Sequence, residues 1–454
     1  MLTISKCERS KIFDSLFIGY GGPPFCIRLW DDWCWRMEAL GDPQCTLVFN
    51  SPESLAALIK HPSETTLGEA FLSGDIDIGG DIFAVFEIAE YVFSSPHGRR
   101  RKTLETLARL VLSAMNSFKK GTAHSLKRDR SAISYHYDQP VTFFRPWLGQ
   151  SLIYSCAYFE GMNDPLACAQ ENKLELVCRK LRLKHHDRLL DIGCGWGSLV
   201  LHAASAHKVY AQGITISQEQ AVVAANQIEV ARMTQSCRVD LLDYRLAPNH
   251  FAPFDKIASL GMFEHVGVKQ LPHYFQTVRR MLKPEGMFLN HGITRAPLTQ
   301  VEGKASFGKQ LGLSLLRLPF VRRAHSSSFI DKYVFPDGEL STLSETLAAA
   351  ETAGLEVRDV ENLREHYELT LRAWVDNLRR CKAQVVQEFS DLTYRTWLLY
   401  MAGSAAAFRR GDIAIHQTLL CRLEGGKSGL PLTRSDWYRT PLTEDQPCYR
   451  SCMR

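Results

Sequence analysis

The sequence predicts an α/β protein: a largely parallel sheet covered by helices, preceded by a small α+β domain. Three observations support this. From about residue 172, short apolar runs alternate with helical patterns. A G-x-G-x-G turn follows the first of these apolar runs and opens a helix. Residues 1–95, in contrast, mix short apolar runs with Gly and Pro. Strands that alternate with helices imply a parallel sheet with right-handed crossovers.

The size and composition limit the class of protein. A chain of 454 residues exceeds what one core usually serves, so we expect two or three structural units. A hydrophobic content of 45% and a charged content of 23% are typical of a soluble globular protein. The net charge of +5 is mild, and no basic recognition motif accompanies it, so we expect no nucleic-acid partner.

Cysteine usage and hydropathy indicate the compartment. The 13 cysteines are scattered without C-x-x-C pairs, which predicts neither a disulfide framework nor a zinc site, and no metal is expected. The charged N-terminus resembles no signal peptide, and no run approaches ~18 apolar residues. We therefore expect a cytoplasmic protein that meets a membrane, if at all, from the side.

The first unit is expected over residues 1–118. Within it, residues 99–120 place apolar side chains at helical spacing between basic flanks, which predicts an amphipathic helix. Such a helix either packs on the core or contacts an anionic lipid surface, and both interpretations stay open. A polar, basic stretch over residues 119–131 is expected to be a linker.

The alternating elements of the second unit can be taken in order. Strands are expected at 188–193, 208–214, 238–243, 255–263 and 286–292, and helices at 172–183, 196–206, 218–232 and 271–282. In a sheet of this kind, ligands bind beyond the carboxyl ends of the strands.

The turn after the first of these strands predicts a cofactor site. Gly193, Gly195 and Gly197 let the backbone turn tightly and approach a ligand closely. A dinucleotide fingerprint fails because Ser198 stands where it requires glycine. The G-x-G-x-G form after Asp191 instead resembles S-adenosylmethionine methyltransferases. A tight turn without a ligand is the alternative.

The positions that would bind the ribose and the adenine follow the common pattern less closely in this sequence. The second strand ends without the carboxylate that often holds a ribose, so Gln220 is the nearest polar candidate. Leu242 and Asp243 end the third strand, where they can flank an adenine. Glu264 and His265 follow the fourth strand, either as functional groups or as a solvated polar pair at a strand end. In an extended chain His265 would point away from Glu264.

Five separated motifs carry a resemblance to a known family. The stretches YSCAYFEG, DIGCGWGS, MFEHVG, KPEGMFLNHGI and AAAFRRGDI resemble the cyclopropane-fatty-acyl-phospholipid synthases and the mycolic acid cyclopropane synthases. The resemblance runs over about 134–425 and extends more weakly into the first unit. It implies a class I S-adenosylmethionine-dependent (Rossmann-like) methyltransferase sheet with added helices, a catalytic domain over 132–425 and a C-terminal tail over 426–454.

The resemblance also implies roles for particular residues. Tyr154 and Ser155 match the pair that touches the methionine part of the cofactor, and the segment from Thr215 to Gln220 matches the cofactor-binding second strand. The family holds a bicarbonate ion as base, and its ligands there match Cys156, Glu264, His291, Ile293 and Tyr367. Without the resemblance, Cys156, His291 and Tyr367 would each more often be structural.

The implied reaction is transfer of a methylene group to a cis double bond of a phospholipid acyl chain, at the inner face of the cell membrane. A lipid C-methyltransferase that closes no ring, and a non-catalytic lipid-binding relic, remain alternatives. A homodimer is left open. Two departures from the family pattern stand out: Pro140, which is expected to disturb a helix, and an apolar, basic segment over 300–328, expected to be a membrane-facing loop.

Overall fold

The fold was analysed in a computed structural model. It describes residues 20–37, 41–51, 64–94, 139–296 and 339–438, with single residues at 10, 13, 14, 17, 19 and 54. The expected amphipathic helix at 99–120, the linker at 119–131 and the segment 300–328 lie outside the described residues. Within the described part of the chain, no helix is both long enough and apolar enough to cross a bilayer.

Among its described residues, the N-terminal unit contains a four-stranded sheet and two assigned helices. Across the sheet, β2 (Cys34–Arg36) pairs with β1 (Phe25–Arg28), β1 pairs with β3 (Cys45–Phe49), and β3 pairs with β4 (Ile76–Gly80). Along the third strand, Cys45, Leu47 and Phe49 are buried while the residues between them are half-buried, so one face carries the core. The elements are β1 (Phe25–Arg28), β2 (Cys34–Arg36), β3 (Cys45–Phe49), α1 (Glu64–Leu72), β4 (Ile76–Gly80) and α2 (Ile82–Ser94).

The second unit is built on a seven-stranded sheet, which confirms the predicted α/β class. Five consecutive strands of the sheet are parallel to one another, and the strand inserted between them and the edge strand runs antiparallel to both of its partners. The strands are β5 (Arg188–Ile192), β6 (Tyr210–Thr215), β7 (Cys237–Leu241), β8 (Phe254–Leu260), β9 (Leu282–Arg295), β10 (Glu356–Asn362) and β11 (Ile413–Cys421). Their order across the sheet is β10-β11-β9-β8-β5-β6-β7.

Helices cover both faces of this sheet and one of its edges. They are α3 (Val141–Leu148), α4 (Leu166–Leu181), α5 (Ser198–His207), α6 (Gln218–Val230), α7 (Leu271–Met281), α8 (Leu343–Thr352), α9 (Arg364–Arg380), α10 (Lys382–Glu388) and α11 (Asp391–Arg410). Helices α4, α5 and α6 share one core with the sheet, and α7 and α8 share another. Helices α3, α9, α10 and α11 are the added helices, and they enclose an aromatic-rich third core.

The two units pack against each other through the added helices. The Arg395 guanidinium of α11 pairs with Asp77 of β4 at 2.7 Å. Arg379 of α9 donates to the backbone carbonyl of Gly80 at 2.7 Å. Phe86 of α2 lies so close to α11 that a Cβ on Gly403 would be 3.2 Å from its ring. The N-terminal sheet therefore supports the helices that build the third core.

Three details differ from the sequence-based expectations. The strand expected over 255–263 ends at Leu260, because Gly261 turns the chain with a φ of 74° and a 3₁₀ helix, Phe263–His265, follows. The strands β10 and β11 were not predicted. Pro140, which was expected to disturb a helix, has a φ of −64° and a ψ of 155° and is the N-cap residue directly before α3, while the residues before 139 lie outside the described part of the chain.

Candidate active site

A cleft of about 1110 Å³ opens at the carboxyl ends of β5, β6 and β8. Its position is the one that parallel sheets of this kind use for ligands. The predicted cofactor residues that line it are Tyr154, Ser155, Asp191, Gly193, Gly195, Thr215, Gln220, Leu242 and Asp243. Gly197 does not line the cleft; it is the residue before α5.

The glycine turn is held against the sheet by backbone contacts. The N–H groups of Gly193 and Cys194 both donate to the carbonyl of Ile214, at 2.9 and 3.0 Å. Gly193 has a φ of 75°, and a Cβ there would lie 2.6 Å from Cβ of Met262. A Cβ on Gly195 would meet nothing within 4 Å, so this glycine leaves room on the cleft side. The turn therefore needs Gly193 for its packing and Gly195 for space.

A buried lysine forms part of the cleft wall, and sequence analysis missed it. Lys173 of α4 is 1% exposed, and its ammonium donates to Oγ of Ser155 at 2.8 Å. Burial lowers the pKa of Lys173 to about 8, against the opposing effect of nearby Cys156 and Asp191. Burial raises the pKa of Asp191 to about 7, and its Oδ1 has no hydrogen-bond partner in the described structure. A cation and a carboxylate in one cleft suit a zwitterionic ligand.

The far end of the cleft is polar as well. Gln220 is buried, and its Oε1 accepts a hydrogen bond from Oγ1 of Thr215 at 2.8 Å. The pairing fixes the amide, so that its nitrogen is the group available to a ligand. Asp243 forms a 2.7 Å ion pair with Arg245, which also lines the cleft.

The five predicted base-site residues, Cys156, Glu264, His291, Ile293 and Tyr367, do not line this cleft. Glu264 accepts a hydrogen bond from the backbone N–H of Ile293 at 2.8 Å through Oε1. Its Oε2 is buried without a partner in the described structure. Burial raises the pKa of Glu264 to about 7. This carboxyl group can therefore both accept and donate a hydrogen bond near neutral pH.

Aromatic residues connect the residues that line the cleft with the predicted base-site residues. Cys156, Ile293 and Tyr367 all belong to the third core, and Tyr154 packs against the same core from the cleft side. The hydroxyls of Tyr154 and Tyr400 share a hydrogen bond, and burial raises the pKa of Tyr400 to about 12, with a smaller contribution from the charge of Glu264. Tyr400 is thus a further residue that sequence analysis missed.

His291 is fully enclosed, as is Cys156 of the same group. It is 0% exposed, and neither ring nitrogen has a hydrogen-bond partner in the described structure. Burial holds its pKa well below the usual value, and the charge of Lys173 adds to this effect. Gln417 of β11 lies opposite it in the antiparallel pair, and both of its amide atoms are also buried without partners.

These unpartnered atoms allow a test of the expected base. Hydrogencarbonate carries one negative charge, one O–H donor and several acceptor oxygens. The buried Oε2 of Glu264 can accept from the O–H, the ring of His291 can donate to an oxygen, and the charge of Lys173 favours an anion. The residues present therefore fit this ion, and the site could equally accept ordered water.

His265 lies where sequence analysis did not expect it. It was expected to point away on the assumption of an extended chain. The 3₁₀ turn removes that assumption, and the side chain lines the cofactor cleft. The sequence around "MFEHVG" does not distinguish a 3₁₀ turn from the end of a strand, because a glycine such as Gly261 is compatible with either structure.

The sheet order, the glycine turn and the cleft together define an S-adenosylmethionine-dependent methyltransferase. A comparison with family models identifies it further. The model of mycolic acid cyclopropane synthetase matches residues 124–418, and a model described as a domain of unknown function, DUF7884, matches residues 12–95. The chain belongs to the mycolic acid cyclopropane synthetase family.

Curated relatives and solved structures agree with this membership. A "Probable fatty acid methyltransferase" of Pseudomonas putida is 37% identical over 92% of this chain and 96% of the relative. The cyclopropane-fatty-acyl-phospholipid synthase of Escherichia coli is 35% identical over 66% of this chain and 69% of the relative. The cyclopropane synthase MmaA2 from Mycobacterium tuberculosis superposes with a TM-score of 0.57 at 30% identity, covering 64% of this chain and 97% of that structure. The mycolic acid cyclopropane synthase CmaA1, complexed with SAH and CTAB, gives a TM-score of 0.56 at 30% identity over the same shares.

Proposed function

We propose that this protein transfers a methylene group from S-adenosylmethionine to a cis double bond of a phospholipid acyl chain and closes a cyclopropane ring. The observation that carries the proposal is the buried carboxyl group of Glu264, which accepts a hydrogen bond from the backbone of Ile293 and keeps its Oε2 without a partner in the described structure. The names of the E. coli and M. tuberculosis relatives support the same reaction class.

The chemistry explains why such an arrangement is needed. Bound S-adenosylmethionine supplies a methyl group on a sulfonium centre, and bound hydrogencarbonate supplies a base. An alkene is a weak nucleophile, so the protein has to hold the reacting carbons in line and in contact. Methyl transfer leaves a carbocation that water would trap, so the pocket has to be dry. Loss of a proton from the new methyl group then lets the ring close, which requires a base within reach.

The protein's own groups divide these tasks. Tyr154, Ser155 and Lys173 hold the methionine end of the cofactor, and Gly193 and Gly195 let it lie against the backbone. The aromatic residues of the third core exclude water and provide surface for an acyl chain. Glu264, His291 and Tyr367, with backbone groups of Cys156 and Ile293, hold the base. Glu264 orients the base and does not itself take the proton.

A second candidate is a lipid C-methyltransferase that forms a methyl or methylene branch. The relatives from P. putida and M. tuberculosis named fatty acid methyltransferases favour it, since the latter is 34% identical over 95% of this chain. Both candidates share the first carbocation. Ring closure follows when the new methyl group loses a proton directly, whereas a methylene branch requires a 1,2-hydride shift to the cationic carbon before the methyl group loses its proton. We also propose that the protein works at the inner membrane face from the cytoplasm, as the lipid substrate requires.

The test uses the full-length protein and S-adenosylmethionine labelled with ¹³C in the methyl group. Substrates are vesicles of dioleoyl phosphatidylglycerol and, separately, oleic acid. A ring product and a methylene branch have the same mass, so NMR of the labelled lipid distinguishes them: strongly shielded ring protons support cyclopropanation, and olefinic CH₂ protons support the second candidate. Label in a methyl ester of the carboxyl group contradicts both. Repeating the reaction in CO₂-depleted buffer tests the base, since added bicarbonate should restore the rate.

A further inference from the structure

A second cluster of reactive side chains lies between helices α4 and α5, and the proposed chemistry does not use it. Glu175 and Cys178 are one turn apart on α4, and His202 and His207 are on α5. One ligand atom from each of Cys178, His202 and His207 lies within 4.8 Å of the other two. Oε2 of Glu175 is 3.2 Å from Nε2 of His202 and 3.0 Å from Nε2 of His207.

The distances suit a tetrahedral metal site. Zinc binds nitrogen and carboxylate oxygen at about 2.0–2.2 Å, so two such ligands on a tetrahedron are separated by roughly 3.3 Å. The two separations from Glu175 to the histidines are close to that value. A thiolate, two imidazoles and a carboxylate are also ligand types that zinc accepts together.

The residues around the cluster hold one of its proposed ligands, Glu175, in place. Nε of Arg179 donates to Oε1 of Glu175 at 2.9 Å, which leaves Oε2 turned towards the histidines. A ligating carboxylate is usually held by such an outer hydrogen bond. Cys178 is buried, whereas the side chains of His202 and His207 are 24% and 20% exposed, so an ion can reach the cluster from the solvent side.

The charges of the ligands are consistent with this interpretation. As metal ligands, Cys178 would bind as a thiolate and Glu175 as a carboxylate. One thiolate and one carboxylate would neutralise a divalent ion.

We propose that Glu175, Cys178, His202 and His207 form a structural zinc site that ties α4 to α5. The cysteine spacing predicted no zinc site, because two of the four ligands are histidines on another helix. Helix α5 begins at the glycine turn and α4 carries Lys173, so the tie would fix two walls of the cofactor cleft relative to each other. With all four positions taken by protein ligands, the ion has no open position for catalysis.

The first experiment measures zinc content. Full-length protein is stripped with a chelator, loaded with zinc sulfate, passed through a desalting column and analysed for metal. We expect about one zinc ion per chain, and much less in Cys178→Ser and in His207→Gln. His250→Gln is the matched control, because this histidine is exposed and outside the cluster. A wild-type protein without zinc, or variants that retain as much as wild type, would overturn the proposal.

The second experiment uses cobalt in place of zinc, which reports the ligands directly. A thiolate ligand gives an intense near-ultraviolet charge-transfer band, and tetrahedral coordination gives strong visible absorption. We expect both in wild type and loss of the charge-transfer band in Cys178→Ser. Cobalt bound without that band in wild type would exclude Cys178 as a ligand and contradict the site as proposed. Thermal unfolding supplies an independent readout, since zinc should raise the Tm of wild type and of His250→Gln but not of His207→Gln.

Discussion

The backbone N–H of Ile293 donates to Oε1 of Glu264 at 2.8 Å, and this bond joins the carboxyl edge of strand β9 to the 3₁₀ turn after β8. Both residues were expected to hold the same anion. Because the N–H of Ile293 is already used, an anion that takes this donor has to displace the Glu264 carboxylate. Alternatively, the carboxylate stays and offers its buried Oε2 to the anion. In either case the two residues act as one unit.

Replacing Glu264 by glutamine tests this unit. Gln keeps the shape of the side chain and an acceptor for Ile293, but it removes the charge that orients the base. We expect Glu264→Gln to lower kcat by roughly 100-fold or more, the size of effect that a positioned acid–base group commonly provides. The Kd for S-adenosylmethionine, measured by calorimetry, should stay within about threefold, because Glu264 does not line the cleft.

Glu388→Gln is the control for this variant, because Glu388 is exposed on α10 and should change neither quantity. Full turnover by Glu264→Gln would show that the carboxylate plays no part in the reaction.

The raised pKa of Glu264 predicts a pH dependence of stability. Its pKa rises from 4.5 to about 7 on folding because of burial. The folded protein therefore binds this proton more tightly than the unfolded chain does, and the resulting stabilisation is present at low pH and is lost as pH rises through about 7. Relative to Glu264→Gln, we expect the free energy of unfolding of wild type to fall by about 2 to 3 kcal/mol between pH 5 and pH 8.

Urea titrations of both proteins at several pH values provide the measurement. The difference between the two proteins isolates this group from the other titrating residues. A difference that stays constant across the range, or one that grows with pH, would contradict the assignment.

Removing the charge of Lys173 should weaken the binding of S-adenosylmethionine. The ammonium contacts Ser155, and its charge acts on both Asp191 and His291. Lys173→Met keeps the length of the side chain and removes the cation, which leaves Asp191 without its nearby positive charge in a buried position. We expect the Kd for S-adenosylmethionine to rise at least tenfold.

Lys269→Met is the matched control, since Lys269 is exposed and does not line the cleft. Unchanged cofactor binding by Lys173→Met, in a folded protein, would exclude Lys173 from the binding site.

Two glycines of the same turn should respond differently to alanine. Gly193→Ala places a Cβ 2.6 Å from Cβ of Met262, at a φ of 75°. We expect a loss of stability of several kcal/mol, from overpacking and left-handed strain together. Gly195→Ala meets no atom within 4 Å, so it should cost only about 1–2 kcal/mol for its φ of 54°.

Cofactor binding completes the comparison. The Cβ of Gly195→Ala would occupy space in the cleft, so the Kd for S-adenosylmethionine should rise tenfold or more although the protein remains folded. If Gly195→Ala binds the cofactor normally, the cofactor does not approach this part of the turn.

Sequence analysis found the parts of the site that depend on local pattern. Gly193 and Gly195 were predicted because a tight turn between strand and helix can be read from neighbouring residues. Lys173 was missed, because a lysine in an amphipathic helix is normally exposed, and only packing against the sheet shows that this one is buried. Gln417 and Tyr400 were missed for a related reason. Their significance depends on which strand or helix lies opposite, and such pairings join positions more than 100 residues apart.

The contacts of Arg395 and Arg379 with the N-terminal sheet, and the contact of Phe86 in α2 with α11, have a practical consequence. A shortened chain that began near residue 132 would leave a guanidinium and an aromatic-binding surface on α9 and α11 open to solvent. The same two helices build the third core, against which Ile293, the hydrogen-bond partner of Glu264, packs. A shortened chain made for crystallisation or enzyme engineering would therefore require new polar residues along α11. Without them, we expect the shortened protein to aggregate and solvent to enter the third core.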